Sequence, residues 1–305
     1  MKNVIKTLVV IMTLICLVAC SKDKPSYLGA IREFEIKDTL EEVENKQVKV
    51  ILLYGQSNAT GVSQNIYLEQ NDDVTFSKAS EGYDNVLINY ITENGSNSSN
   101  GEFVKVKLGQ GASQNHFGPE IGIADELSKK YSQETIFIIK YSWGGSMLHN
   151  QWLNGKSGRG ELYEAAINFT LSSLDYLKSK GYLPEIKAIF WMQGESDATA
   201  KNYSKHYYDN SKKLIEYLRK DLKKYYKDSL MFVDAGIAEI DIWPEHNDVN
   251  KAKEKLASGN DYNKYFSTSS MGLATNLEPV EGPDLAHYDS ISMIKLGQKF
   301  ASYIE

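Results

Sequence analysis

Residues 49–61 read Lys-Val-Ile-Leu-Leu-Tyr-Gly-Gln-Ser-Asn-Ala-Thr-Gly. Val50 to Leu53 form a short apolar run, the pattern of a strand buried on both faces. The run gives way at once to Gly55, Gln56, Ser57 and Asn58, which are small or polar. In an open α/β sheet ligands bind beyond the carboxyl ends of strands, so Ser57 stands where a nucleophile is useful. Serines in turns are mostly structural, and this stretch decides nothing until the rest of the chain is laid beside it.

The pattern repeats downstream. Residues 135–141 (Thr-Ile-Phe-Ile-Ile-Lys-Tyr) and 186–192 (Ile-Lys-Ala-Ile-Phe-Trp-Met) read as two more buried strands. The first ends in Ser142-Trp143-Gly144-Gly145-Ser146 and the second in Gln193-Gly194-Glu195-Ser196-Asp197. Residues 230–233 read as a fourth strand. Helices are expected at about 120–131, where Pro119 and Glu120 suit a first turn, and at 162–177, 204–226 and 291–304. The lysines of the 204–226 segment read as its solvated face. Residues 64–115 and 240–283 read as irregular, with a small strand at 103–108. Strands alternating with helices imply one α/β domain, a three-layer α/β/α sandwich with a mostly parallel central sheet. All three strand-end clusters then line one rim.

A fourth element, Asp284-Leu285-Ala286-His287, precedes the last helix. A carboxylate three residues before a histidine can hold the ring Nδ1 and leave Nε2 outward as a base. The chain order Ser, Asp, His supplies a nucleophile, an orienting acid and a base.

Composition narrows the alternatives. The 305 residues are 42% hydrophobic and 24% charged, with a formal net charge of −6. That balance suits a globular protein and lacks the basic excess of a nucleic-acid footprint. Lys2 and Lys6 precede an apolar run at 8–18 that ends in Ala19 and Cys20, the layout of an export signal too short to span a membrane comfortably. The ending resembles the lipobox of bacterial lipoproteins, which implies lipidation of Cys20 and a membrane partner in the cell envelope. Cys16 would leave with the signal, so no thiol would remain for a disulfide or a metal. The expected organisation is a signal peptide at 1–20, a tether and lead-in at 21–47, and a catalytic domain at 48–305.

Gly55-Gln56-Ser57-Asn58-Ala59, Phe117-Gly118-Pro119-Glu120, Trp191 to Asp197 and Asp284 to His287 occur in the order of the SGNH/GDSL hydrolase blocks. The chain most resembles the branch holding sialate O-acetylesterases and the acetyl xylan esterases of carbohydrate esterase family 6. That resemblance implies a flavodoxin-like SGNH fold and a serine esterase without cofactor or metal, acting on acetylated carbohydrate. It implies Ser57 as nucleophile, His287 as base and Asp284 as its orienting acid. It also implies an oxyanion hole from the Ser57 and Gly118 N–H groups and the Gln193 amide; a glycine at a helix start and a neutral amide both suit that task. Gln56, Asn58, Glu195, Gly144 and Gly145 are read as supporting the site or touching substrate. Glu195 departs from the wider superfamily, which has asparagine in this block, and an ionised carboxylate cannot donate to an oxyanion. Trp143 and Trp152 read as either sugar platforms or core. His116, just before Phe117, reads as a surface residue that could reach the site, while His149, His206 and His246 lack metal-ligand spacing. Competing readings are a lipase or thioesterase of the same superfamily and a lipid-anchored carbohydrate-binding protein without turnover.

Overall fold

The structure, a computed structural model, describes residues 35–92, 96–156, 158–279 and 283–305. The expected signal peptide at 1–20, with Cys20, and the first part of the expected tether lie outside the described residues.

The described strands are β1 (Lys46–Gly55), β2 (Ser63–Gln64), β3 (Tyr83–Thr92), β4 (Asn97–Ser98), β5 (Val104–Val106), β6 (His116–Phe117), β7 (Ile136–Ser142), β8 (Tyr182–Met192), β9 (Met231–Ala235) and β10 (Asn263–Phe266). The helices are α1 (Ser57–Thr60), α2 (Asn65–Asn71), α3 (Asp73–Glu81), α4 (Glu120–Lys130), α5 (Glu161–Ser179), α6 (Lys201–Ser204), α7 (Tyr207–Asp221), α8 (His246–Ser258) and α9 (Ser290–Ala301). The main sheet runs β10-β9-β8-β1-β7-β3-β4, with β5 also paired to β3. Its six long members are parallel, and only β4 and β5 run against them. β2 and β6 form a separate two-stranded ladder.

β1 is central because its residues alternate between two apolar layers. Val50, Leu52 and Tyr54 enter the core shared with α5, α7 and α8. Ile51 and Leu53 enter the core shared with α4 and α9. The chain leaves β1 toward β3 and β7 on one side and only then crosses to β8, β9 and β10 on the other. The carboxyl end of β1 therefore lies where the winding reverses, the usual place for a site in such sheets. Register fixes the rim: Gly55 pairs with Ser142 on one side and Met192 on the other. All three strand-end clusters thus meet around Ser57.

Two regions differ from the sequence reading. Residues 64–115 hold a ten-residue strand of the main sheet, β3, rather than an irregular excursion. Its buried Asn89 is satisfied by Ser173 (3.2 Å) and Ser99 (2.6 Å), so polar residues sit inside it without penalty. Residues 240–283 hold α8 and β10. The helix expected at 204–226 is divided into α6, α7 and a single 3-10 turn at Lys223–Tyr225.

Candidate active site

From Val50 to Gly61 every residue is buried except Ser57. The turn is held tightly: Gly55 has φ +150, and a Cβ there would lie 1.9 Å from the Met192 carbonyl oxygen. Only glycine permits that approach, and it lets the Gln56 N–H donate to the same oxygen at 2.8 Å. Ser57 then opens α1, where a first-turn N–H has no carbonyl within the helix.

The acid and the histidine meet as their spacing implies. Asp284 Oδ2 lies 2.6 Å from His287 Nδ1, and Asp284 Oδ1 accepts the N–H groups of Ala286 (2.8 Å) and His287 (3.2 Å). The same carboxylate therefore shapes the loop and orients the ring, leaving Nε2 as the nitrogen available for proton transfer. Ser57 Oγ and His287 are not joined by a hydrogen bond among the described residues. The two loops are coupled through Asn58, whose amide accepts from Tyr288 N–H (3.2 Å) and donates to Glu195 Oε1 (2.7 Å) and to Ala286 O (3.4 Å). Serine–base contacts are commonly long before substrate binds.

Two of the expected oxyanion donors already hold hydrogen bonds among the described residues. Gly118 N–H donates to Glu120 Oε1 at 2.7 Å, so it is already occupied. Glu120 in turn holds the buried Lys140 through Oε2 at 2.8 Å. The Gln193 amide is fully buried, and its Nε2 faces Asp197 Oδ2 (2.7 Å), Ser146 O (3.1 Å) and Gln56 Oε1 (3.2 Å). Its two N–H bonds are thereby used to clamp three loops together. Gln56 serves the same clamp as acceptor from Gly194 N–H (3.3 Å) and Ser196 N–H (3.4 Å). Gly144 and Gly145 directly precede Ser146, whose carbonyl takes the Gln193 amide. Gly145 is exposed with φ +66, and neither glycine N–H is paired with an acceptor among the described residues.

Asp197 anchors the segment that follows. Its carboxylate accepts the N–H groups of Leu148 (2.7 Å) and His149 (3.1 Å), at the start of a single π-helical turn, Leu148–Trp152. Burial pushes the Asp197 carboxyl up, against the pull of those hydrogen bonds. Trp152 is core rather than a sugar platform, 1% exposed with Nε1 on Ser146 Oγ at 3.0 Å. Trp143 remains half-buried at the rim. His116 does belong to the site's surroundings: its Nδ1 meets Ser113 Oγ at 2.7 Å, and burial, then the charge of His287, lowers its pKa. No group of three or more His, Cys, Asp or Glu among the described residues could hold a metal.

Sequence reasoning missed the buried supports. Lys253 on α8 donates to Gln193 O (2.7 Å), Ala235 O (2.9 Å) and Asp234 Oδ1. Tyr207 Oη donates to Gln193 O at 2.8 Å and lies 3.1 Å from Gln193 Oε1. Lone charges inside apolar strands, Lys140 in β7 and Asp234 in β9, were the available signal.

Residues 47–305 match the family model described as carbohydrate esterase, sialic acid-specific acetylesterase. The chain belongs to this family. It is a carbohydrate O-acetylesterase, and hence a carboxylic ester hydrolase. Three solved structures share the esterase's fold. A protein of Arabidopsis thaliana is 21% identical with a TM-score of 0.61, over 84% of this chain and 97% of its own. NanS is 14% identical with a TM-score of 0.62, over 85% and 97%. A carbohydrate acetylesterase from Xanthomonas citri is 17% identical with a TM-score of 0.54, over 83% of this chain and 55% of that longer one. Among curated protein sequences none matches the esterase.

Proposed function

We propose that the esterase removes O-acetyl groups from carbohydrate through an acetyl-enzyme on Ser57, exported and anchored by a lipid on Cys20. The observation that carries the chemistry is the single accessible serine of a buried turn, tied through Asn58 to the loop on which Asp284 holds His287 at 2.6 Å. Ser57 Oγ attacks the acetyl carbonyl carbon as His287 Nε2 takes its proton. The oxyanion is received by the N–H of Ser57 and by those of Gly144 and Gly145 on the loop after β7, the strand paired with β1. His287 then returns the proton to the sugar oxygen as the carbon–oxygen bond breaks. Water, deprotonated by the same nitrogen, attacks the acetyl-Ser57 carbonyl; the carbon–Oγ bond breaks, Ser57 Oγ takes the proton back from His287, and acetate leaves. Asp284 stabilises the imidazolium in both halves.

The test uses a soluble form starting after Cys20, with acetylated xylan, O-acetylated sialic acid and an aryl acetate. Ser57→Ala should abolish acetate release from all three and labelling by a fluorophosphonate. Asp284→Asn should keep the fold and lower kcat by about two orders of magnitude or more. Release that persists in the Ser57 variant refutes the acetyl-enzyme. For anchoring, the full-length protein should fractionate with membranes and Cys20→Ala should not; equal fractionation refutes the lipid on Cys20.

A further inference from the structure

A groove of about 650 Å³ opens beside the His287 loop, a size within the range of small-ligand sites. Its walls are the segment after β9, with Glu239, Ile240, Asp241 and Ile242, and the segment around Leu273, with Leu285 at the junction. Leu285 lies between Asp284 and His287, so the groove reaches the loop that carries the base. Leu285 is 47% exposed and Ile242 41%, unusual for large aliphatic side chains. The walls are fixed to the same loop: Asp289 N–H donates to Ala274 O (3.0 Å), and Tyr288 Oη to Gly236 O (3.3 Å).

The chemistry says what part of a substrate belongs there. In the acyl-transfer step the base becomes the acid that protonates the departing oxygen. The departing sugar must therefore lie against His287 Nε2, while the acetyl oxygen points to the donors at Ser57 and Gly144. Resting on that reading of the site, we propose that this groove holds the leaving sugar and selects saccharides without a carboxylate.

The charges around it are of one sign. Glu239 and Asp241 are exposed on one wall, Asp284 stands at the junction, and Glu278 and Asp289 lie behind the loop. Among the described residues no lysine or arginine lines the groove. Both described arginines are engaged elsewhere: Arg159 forks onto Asp221, and Arg219 onto the carbonyls of Leu230 and Tyr262. A sugar carboxylate is ordinarily recognised by a guanidinium or another cation. Here it would meet carboxylates and aliphatic carbon instead. A neutral ring places its C–H face on Ile242 and Leu285 and its hydroxyls toward acceptors.

A matched pair tests this without any variant: 9-O-acetyl-N-acetylneuraminic acid and its carboxyl methyl ester, each followed by acetate release. The two differ in charge and by one methyl group. At low ionic strength the methyl ester should be cleaved with a kcat/KM about fivefold to tenfold higher, and 0.5 M salt should narrow the gap, since exposed charges are screened. The double variant Glu239→Gln, Asp241→Asn should narrow it too; the ratio within each protein is read, so a general loss of rate cancels. Equal rates, or preference for the free acid, at low salt while an aryl acetate is still hydrolysed overturns this proposal alone. Failure to release acetate from all three substrates removes the serine-esterase reading and this proposal with it.

Discussion

Two buried lysine–carboxylate pairs flank the Ser57 turn, one on each face of the sheet, and they are finished to different degrees. On the α4 side, Lys140 Nζ meets Glu120 Oε2 (2.8 Å), Thr60 O (2.8 Å) and Gln110 O (2.9 Å), and Glu120 Oε1 takes the Gly118 N–H. Every donor and both acceptors are used. On the α8 side, Lys253 likewise uses its three donors, but Asp234 Oδ2 and the neighbouring Glu195 Oε2 have no partner among the described residues. Burial, opposed by Lys253 and aided by Glu195, pushes the Asp234 carboxyl up to about 6. The first pair is a closed peg that holds the end of α1. The second keeps spare acceptor capacity and a proton affinity close to neutrality, next to the loop that carries Gln193 and Glu195. A closed pair fixes geometry; an open one leaves the local charge adjustable.

Removing the closed pair should have the largest effect. Lys140→Met leaves Glu120 as an uncompensated buried charge and strips the Thr60 and Gln110 carbonyls of their donor. A loss of about 3–5 kcal/mol is expected by chemical denaturation, together with loss of activity, because α1 carries Ser57. A cost below about 1 kcal/mol would show that the pair is not the peg described.

The open pair should respond to pH instead. The raised Asp234 carboxyl binds its proton more tightly in the folded protein than in the unfolded chain. Its contribution to stability is therefore present below about pH 4 and is lost as pH rises through about 6. Asp234→Asn should remove that dependence, so stability relative to wild type improves from pH 4 to 7 by on the order of 2–3 kcal/mol. Lys253→Met should cost less than its counterpart, about 1–2 kcal/mol at pH 7, because protonating Asp234 there is cheap and Gln193 O keeps the Tyr207 hydroxyl. That cost should shrink further at pH 5. A Lys253→Met penalty that is independent of pH would erase the distinction between the two sides.

These supports also mark where the sequence stops being legible. The β1 run, the three strand-end clusters and the Asp284–His287 spacing were readable because apolar runs and i to i+3 spacing are local properties. β3 was hidden because Asp84, Asn85 and Asn89 interrupt its apolar pattern, and the partners that make Asn89 tolerable come from Ser99 and from Ser173 on α5. α8 was hidden because Asn250 and Lys253 face the interior, satisfied by Ile237 and by Asp234. For Gly118 and Gln193 the motif identified residues of the site but not their hydrogen-bond partners. Glu120, two residues on, takes the Gly118 N–H, and Asp197, four residues on, takes the Gln193 amide. Type and spacing place a polar group; only packing decides what it is bonded to.

The smallest effect isolates the cause of the open side's character. Glu195 contributes repulsion to Asp234 while holding Asn58 through its other oxygen at 2.7 Å. Glu195→Gln keeps a carbonyl for Asn58 and removes the charge, and the atom it changes has no partner to lose. Stability at pH 7 should therefore move by less than about 1 kcal/mol. The Asp234 midpoint, followed by carboxyl-carbon NMR, should fall below about 6 because one of the terms raising it is gone. Since desolvation remains, the midpoint should still lie above that of an exposed aspartate. A midpoint that stays in place would assign the shift to burial alone, and the two acids would then be neighbours without electrostatic coupling.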